Sequence, residues 1–196
     1  PKNGVNMICR HGECSLKIMD FGIIELEGGQ STGFSTEDRE VGFVILSGEA
    51  DFSFGNTVWR SVGGRRSVFE GKAHSVYMPR RTELTLTAGM HTAIAFASCP
   101  VDEDTQLQLL KPENTRSVIL GAKPCERYND FLIDERSNAK HLTIGEAWIT
   151  PGNWAGYPPH KHDEDPTREY MKRYTSISFS PVKALHFSAC TPKTAA

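Results

Sequence analysis

The apolar residues of this chain are spaced as in short β-strands. The clearest stretch is residues 41–55, where two runs rich in Val, Ile and Phe flank Ser47-Gly48 and the second run alternates apolar with polar positions. We predict a strand on each side of this tight turn. Further strands are predicted at residues 75–78, 83–87, 92–97, 117–120, 141–149 and 177–179.

The same period of two predicts a buried core for the first half of the chain. Alternate positions on paired strands face one side of a sheet, so their apolar side chains share one core. We expect most of the following side chains to be buried: Phe43, Ile45, Phe52, Phe54, Val76, Leu84, Leu86, Ile94 and Phe96. The best helical candidate is residues 164–174, and it is short.

These patterns together predict an all-β fold. Turn residues such as Met78-Pro79 and Pro151-Gly152 separate the strands. No strand–helix–strand alternation is present, so an antiparallel sandwich or barrel is expected. The polar stretch at residues 101–114 interrupts the strand rhythm. We therefore predict one barrel over residues 1–105 and a second, incomplete one over residues 106–196, although the two halves show no clear sequence repeat.

Composition narrows the classes of function. The 196 residues carry 22 Lys and Arg against 24 Asp and Glu, and a formal net charge of -2 gives no electrostatic footprint for nucleic acid or an anionic membrane. No apolar run approaches the roughly 18 residues of a membrane span, and no signal peptide is evident. The 5 cysteines are irregularly spaced without a C-x-x-C pair, so neither a disulfide framework nor a structural zinc site is expected. A cytoplasmic location is favoured.

Candidate chemistry is concentrated in residues 151–163. His160 and His162 are two positions apart, so on a strand both imidazoles lie on one face while Lys161 points the other way. Two convergent imidazoles suit a divalent first-row metal, but a carboxylate and usually a third histidine must join them. A solvated loop with two incidental histidines is the alternative. The other histidines are isolated in sequence and are expected at the surface or in packing roles: His11, His74, His91, His141 and His186.

The segment around these two histidines resembles a known enzyme family. Residues 152–165, which read Gly-Asn-Trp and then Tyr-Pro-Pro-His-Lys-His-Asp-Glu-Asp from position 157, are similar to the signature of the 5-deoxy-glucuronate isomerases of myo-inositol catabolism. That family is related to the 4-deoxy-5-hexosulose-uronate ketol-isomerases of pectin breakdown. Residues 39–50, 65–71 and 73–79 support the resemblance, which runs from about residue 38 to about residue 170.

The resemblance implies two cupin barrels (a bicupin) with a divalent metal, such as zinc, manganese or iron, in the second. Its ligands would be His160 and His162, a glutamate of a following E-E-[VI]-Y motif and a late histidine. The implied reaction is an aldose–ketose isomerisation of 5-deoxy-D-glucuronate to 5-dehydro-2-deoxy-D-gluconate, with a small sugar acid as the substrate. The general base is not identified by the sequence. A homo-oligomer without nucleic-acid or membrane partners is expected.

After Tyr170 the sequence departs from this family. The glutamates of the motif are missing and no Asp or Glu follows Tyr170, so two histidines alone would hold a divalent ion weakly or not at all. A shifted reading frame from Met171 permits codons for Glu-Glu-Val-Tyr. We therefore hypothesise that a frameshift near Tyr170 produced residues 171–196. A short homologue with a divergent tail is the alternative.

Two other classes of function stay open at this stage. His-His-carboxylate ligation also serves Fe(II) oxygenases, and the missing ligands favour a non-catalytic or degenerate sugar-binding barrel. Fold alone does not choose among them, because barrels host unrelated functions. Arg80 or Arg81 could pair with a substrate carboxylate, but a surface role is favoured for each. Glu164, Asp163 and Glu169 lie near the histidines in sequence, but three such carboxylates after a strand are more typical of a solvated, charged loop.

Overall fold

The structure, a computed structural model, describes residues 3–13, 18–154, 172–179 and 183–190. Besides β-strands, these ranges contain one 3₁₀ turn, Pro112–Asn114. The strands are β1 (Gly4–Cys9), β2 (Asp20–Leu26), β3 (Ser31–Ser35), β4 (Arg39–Ser47), β5 (Glu49–Phe54), β6 (Thr57–Gly63), β7 (Ser75–Met78), β8 (Glu83–Ala88), β9 (Thr92–Pro100), β10 (Gln108–Leu110), β11 (Arg116–Leu120), β12 (Arg127–Ile133), β13 (Leu142–Ile149), β14 (Lys172–Phe179) and β15 (Lys183–Cys190). Within the same ranges, no helix has the length and apolar character needed to cross a membrane.

The strands form three sheets, and the all-β prediction is confirmed. A six-stranded sheet has the order β1-β2-β9-β4-β7-β10, a four-stranded sheet the order β3-β8-β5-β6, and a five-stranded sheet the order β11-β12-β13-β15-β14. The neighbouring strands pair antiparallel throughout the three sheets. The domain boundary between residues 105 and 106 and the second barrel remain predictions.

The six-stranded and four-stranded sheets face each other across an apolar core. All the side chains predicted to be buried lie in this core, and the most exposed of them, Phe54, retains 6% of its surface. The ring of Phe43 meets those of Phe34 and Phe52 edge-on, with centroids 5.2 and 6.0 Å apart. The register inferred from period-two alternation is therefore confirmed.

The six-stranded sheet is buried on both faces, which explains the nearly continuous apolar run in β4. Phe43 points into the core shared with the four-stranded sheet, whereas Val44 packs with residues of β12 and β13. A strand that is covered on both sides has no solvent face to keep polar. Gly42 lies at the second of these interfaces, where a Cβ would be 2.7 Å from the Ile133 Cδ1. The five-stranded sheet therefore approaches β4 closely.

The tight turn at Ser47-Gly48 connects two sheets rather than two paired strands. β4 pairs with β7 and β9, and β5 pairs with β6 and β8, so the chain passes from one sheet of the sandwich to the other at this point. Gly48 has a φ of 78°, in the left-handed region that glycine tolerates. A Cβ there would also lie 2.6 Å from the Thr92 Oγ1. The turn chemistry was predicted correctly, but it does not reveal which strands pair.

Two further observations bear on the sequence analysis. The best helical candidate, residues 164–174, overlaps β14 at residues 172–174, and residues 164–171 lie outside the described residues. The Ser-Ile-Ser-Phe alternation of residues 176–179 and pairing with β15 stabilise the strand. Cys9 is disulfide-bonded, which the irregular spacing of the cysteines did not lead us to expect. Cys99 and Cys125 form no disulfide.

One face of the five-stranded sheet packs on the six-stranded sheet through residues such as Leu142 and Ile144. Directly opposed residues of paired strands share a face, and successive residues along a strand alternate between faces. We call the other face of β11, β12 and β13 the far face. By this register it carries Val118, Arg127, Asn129, Phe131, Gly145 and Ala147.

Candidate functional site

The predicted metal ligands His160 and His162 lie outside the described residues, as do Asp163, Glu164 and Glu169. Their assignment as ligands stays a prediction. In the part of the chain that the structure describes, no group of three or more His, Cys, Asp or Glu side chains could hold a metal ion. The described ranges include β13 and residues 150–154, which precede these histidines in the chain.

The start of the signature segment is held against the beginning of β12. Gly152 has a φ of 85°, which glycine adopts readily, and turns the chain after β13. The Trp154 N–H donates to the Pro124 carbonyl at 2.6 Å, and the Asn153 Nδ2 donates to the Glu126 carbonyl at 3.1 Å. The Gly-Asn-Trp part of the signature thus fixes where the chain leaves β13.

Two polar side chains of β12 stand on the far face beside this loop. Asn129 is 5% exposed, and its Oδ1 accepts no hydrogen bond from a described residue. Arg127 is half-buried, and its Nη1 donates to the Cys125 carbonyl at 3.4 Å. No described carboxylate lies within ion-pair distance of Arg127. Because withdrawing polar groups from water costs free energy unless they find partners, these two groups have binding capacity that the described residues leave unused.

Arg116, on the same face, differs from Arg127 because its charge is compensated. Its guanidinium carbon lies 4.4 Å above the centroid of the Phe131 ring. The Arg116 Nη2 donates to Glu135 at 3.3 Å, and the Nε lies 3.4 Å from an Asp134 carboxylate oxygen. Arg116 therefore belongs to the framework of the sheet.

The opposite face of the sheet carries a buried ion pair. The Arg65 Nη1 and Nη2 donate to the two carboxylate oxygens of Glu146 at 3.0 and 2.6 Å, and the side chains are 6% and 1% exposed. The Arg65 Nε also donates to the Ile45 carbonyl at 2.9 Å. This two-pronged pairing ties β13 to the carboxyl end of β4.

A second buried carboxylate, Glu40, joins the same two parts of the chain. It accepts the backbone N–H groups of Lys140, His141 and Leu142 at 2.9, 2.7 and 2.8 Å. The Tyr77 hydroxyl donates to it at 2.8 Å, and burial raises the pKa of Tyr77, so the phenol stays protonated at neutral pH. Glu40 has its acceptor sites occupied and is a structural centre rather than a reactive one.

The arginines proposed for a substrate carboxylate already have carboxylate partners within the chain. The Arg80 Nε donates to Asp104 at 2.6 Å, and the Arg81 Nε donates to Asp38 at 3.1 Å. The hydrogen bond from Arg80 holds the pKa of Asp104 below its usual range. These pairs agree with the surface role that was favoured from the sequence.

The described histidines are spread over the molecule, as their isolation in sequence suggested. His11 pairs with Asp20 at 2.7 Å and is exposed, and His91 is exposed as well. His74 is half-buried, and burial lowers its pKa. His186 lies opposite Gly145 in the register of β15 and β13.

Sequence reasoning missed the polar residues of β12. The segment Arg-Tyr-Asn-Asp-Phe shows no apolar alternation, so it was not predicted as a strand. The available signal was a pair of polar residues at alternate positions, Arg127 and Asn129, between the predicted strands at 117–120 and 141–149. Glu40 and Arg65 lie within the segments that carry the family resemblance. No motif predicted that Arg65 pairs with Glu146.

Comparisons with known proteins agree with this architecture. The model of the family described as KduI/IolB matches residues 1–177. A solved IolB-like protein of Salmonella typhimurium LT2 superposes with a TM-score of 0.81 at 18% identity, covering 98% of this chain and 90% of that one. A cupin 2 conserved barrel domain protein of Leptotrichia buccalis gives a TM-score of 0.50 at 8% identity, covering 96% and 91%. At these identities the structural likeness concerns the fold alone, and that fold is cupin-like.

Two curated relatives share one name. The chain is 32% identical over 155 residues to the 5-deoxy-glucuronate isomerase of Geobacillus kaustophilus (strain HTA426), covering 78% of this chain and 56% of that protein. It is 28% identical over 167 residues to the 5-deoxy-glucuronate isomerase of Bacillus subtilis (strain 168), covering 83% and 62%. The chain thus spans less than two thirds of the length of either relative.

Proposed function

Because the chain belongs to the KduI/IolB family, we propose that it takes part in the aldose–ketose isomerisation of 5-deoxy-D-glucuronate to 5-dehydro-2-deoxy-D-gluconate in myo-inositol catabolism. The observation that carries the proposal is the family match over residues 1–177, joined by relatives that are named 5-deoxy-glucuronate isomerase. The anchored Gly-Asn-Trp loop at 152–154 supports it, because the signature residues that the structure describes have a defined structural role.

The reaction moves a proton between adjacent carbons through an enediolate, so the site must hold an open-chain sugar acid and stabilise negative charge on oxygen. A divalent ion supplies Lewis-acid polarisation of the carbonyl when it is bound. We propose His160 and His162 as ligands of zinc, manganese or iron. No further ligand cluster occurs among the described residues. Two histidines alone are expected to hold the ion weakly.

The test measures turnover of 5-deoxy-D-glucuronate by NMR, and metal content by elemental analysis, with and without added zinc or manganese. We expect low turnover that rises with added metal. His160→Ala and His162→Ala should abolish both turnover and metal binding, whereas replacing His91, an exposed histidine immediately before β9, with alanine should change neither. Isomerisation that is insensitive to both substitutions would overturn the ligand assignment. Dioxygen uptake without isomerisation would overturn the proposed reaction.

Location and assembly belong to the same proposal. A cytoplasmic enzyme that forms a homo-oligomer fits a catabolic role acting on a small sugar acid. Light scattering of the purified chain measures the assembly, and a monomer at micromolar concentration would contradict it.

A further inference from the structure

We propose that Arg127 and Asn129 form a subsite for the carboxylate and a neighbouring hydroxyl of the sugar acid. This inference rests on the proposed function for the identity of the ligand. The two residues are two positions apart on β12 with no bulge between them. Their side chains therefore project from the same face, with Cα atoms about 6.5–7 Å apart.

Asn129 supplies the first argument. Its side chain is 5% exposed, and its Oδ1 accepts no hydrogen bond from a described residue. Buried amide oxygens in folded proteins nearly always accept a hydrogen bond, because leaving one unmet costs free energy. An acceptor that lacks a donor is complemented by a ligand that brings one, and a sugar hydroxyl is such a donor.

Arg127 supplies the second argument, by contrast with the other arginines. Each of the following has a carboxylate oxygen within ion-pair distance: Arg39, Arg60, Arg65, Arg66, Arg80, Arg81, Arg116 and Arg136. Among the described residues, no carboxylate oxygen lies within ion-pair distance of Arg127, whose Nη1 donates to the Cys125 carbonyl. A half-buried guanidinium presents a planar fork of donors that suits a carboxylate in two-pronged geometry.

The neighbouring strand leaves room beside Asn129. Ala147 lies directly opposite Asn129, and Gly145 lies opposite Phe131, so the floor of the far face is built from small residues at these two positions, whereas the apolar Ile149 lies opposite Arg127. The Asn153 and Trp154 anchors hold the signature loop against residues 124–126, immediately before Arg127. A ligand bound here would meet the loop that leads to His160.

The spacing selects the ligand class. A guanidinium for an anion and an amide oxygen for a hydroxyl, one strand repeat apart, match a hydroxylated chain that ends in a carboxylate. A neutral sugar would satisfy Asn129 but leave Arg127 without its anion. The site therefore discriminates between sugar acids and neutral sugars.

The experiment measures equilibrium binding of D-glucuronate and of neutral D-glucose by calorimetry, alongside turnover of 5-deoxy-D-glucuronate. Arg127→Met should weaken glucuronate binding about 10- to 100-fold, the range for a lost charged hydrogen bond, and leave glucose binding unchanged. Arg127→Lys should recover part of the loss, because it keeps the charge but not the fork. Asn129→Leu should weaken both sugars. Arg60→Met, an exposed arginine on the four-stranded sheet, is the matched control and should change nothing.

The outcomes separate this subsite from the proposed reaction. Glucuronate binding that depends on Arg127, without turnover of the deoxy-uronate, supports the subsite and overturns the reaction. Turnover with a KM that Arg127→Met and Arg127→Lys both leave unchanged supports the reaction and overturns the subsite. Equal weakening of glucuronate and glucose by Arg127→Met shows a structural role, in which an internal carboxylate pairs with Arg127, and overturns the subsite as well.

Discussion

Glu146→Gln is expected to be among the most destabilising single substitutions in the described part of the chain. Glu146 receives two hydrogen bonds from Arg65 in a site where both side chains are almost fully buried. The amide of glutamine can accept one of these bonds but carries no charge, and its NH₂ group faces a donor. The Arg65 guanidinium would then remain buried without a counterion.

The magnitude follows from burial rather than from the strength of the ion pair. Removing one partner of a buried pair costs about 3–5 kcal/mol, because the remaining charge is uncompensated. The bonds from Arg65 to the Ile45 and Gly71 carbonyls persist and recover part of this cost. We therefore expect a loss of about 3 kcal/mol in the free energy of unfolding. Replacing both partners together, as Arg65→Met with Glu146→Leu, should cost much less, because it removes the charges and keeps apolar volume.

The assay is urea unfolding of four proteins followed by circular dichroism: the parent, Glu146→Gln, the double variant and Asp51→Asn. Asp51 pairs with exposed Arg60, so its variant should change the unfolding free energy by less than about 1 kcal/mol. A loss below about 1 kcal/mol for Glu146→Gln would refute the argument that the pair is buried and essential. A double variant less stable than Glu146→Gln would refute the argument that the uncompensated charge is the cause.

Three further predictions concern packing, pH and the tail. Gly42→Ala should lower the free energy of unfolding by about 1–3 kcal/mol, because its Cβ would overlap buried isoleucine side chains. Gly33→Ala is the control, since a Cβ at Gly33 would have nothing within 4 Å. Equal stabilities of the two variants would contradict close packing at Gly42. Burial raises the pKa of Asp134, but hydrogen bonds from Arg136 outweigh this effect and hold the pKa below the usual 3.8. Asp134→Asn should therefore be less stable than the parent at neutral pH, and this difference in unfolding free energy should shrink as the pH falls below about 4. A difference that stays constant down to pH 2 would contradict this. DNA sequencing around Tyr170 tests the frameshift, which a second frame lacking Glu-Glu-Val-Tyr would exclude.

The extent to which the fold could be predicted depends on where each strand is buried. The alternation around Phe52 and Leu84 revealed one core, because those strands have a polar face that contrasts with the apolar one. β12 gave no such contrast: its polar residues Asn129 and Asp130 are buried by long-range packing that no local pattern records. Pairing partners were equally hidden, since the turn at Gly48 has the same chemistry whether it closes a hairpin or crosses between sheets.

The candidate site was predictable only where a motif existed. The family signature led to His160 and His162, which remain predictions, and the Gly-Asn-Trp anchor of that signature has a defined place in the structure. Arg127 and Asn129 follow no motif and became visible only through burial and missing partners. Such groups depend on what surrounds them, and the surroundings come from strands far apart in sequence.

The contacts of Glu40 have a consequence for how the chain can be divided. Its carboxylate accepts hydrogen bonds from peptide groups that follow it by about a hundred positions, and the side chain is fully buried. A fragment ending at residue 105 would expose that carboxylate, together with the apolar outer face of the six-stranded sheet. The complementary fragment would lose the anion that organises the start of β13. The two halves should therefore denature as one cooperative unit, and circular permutation, which keeps both, should succeed where dissection fails.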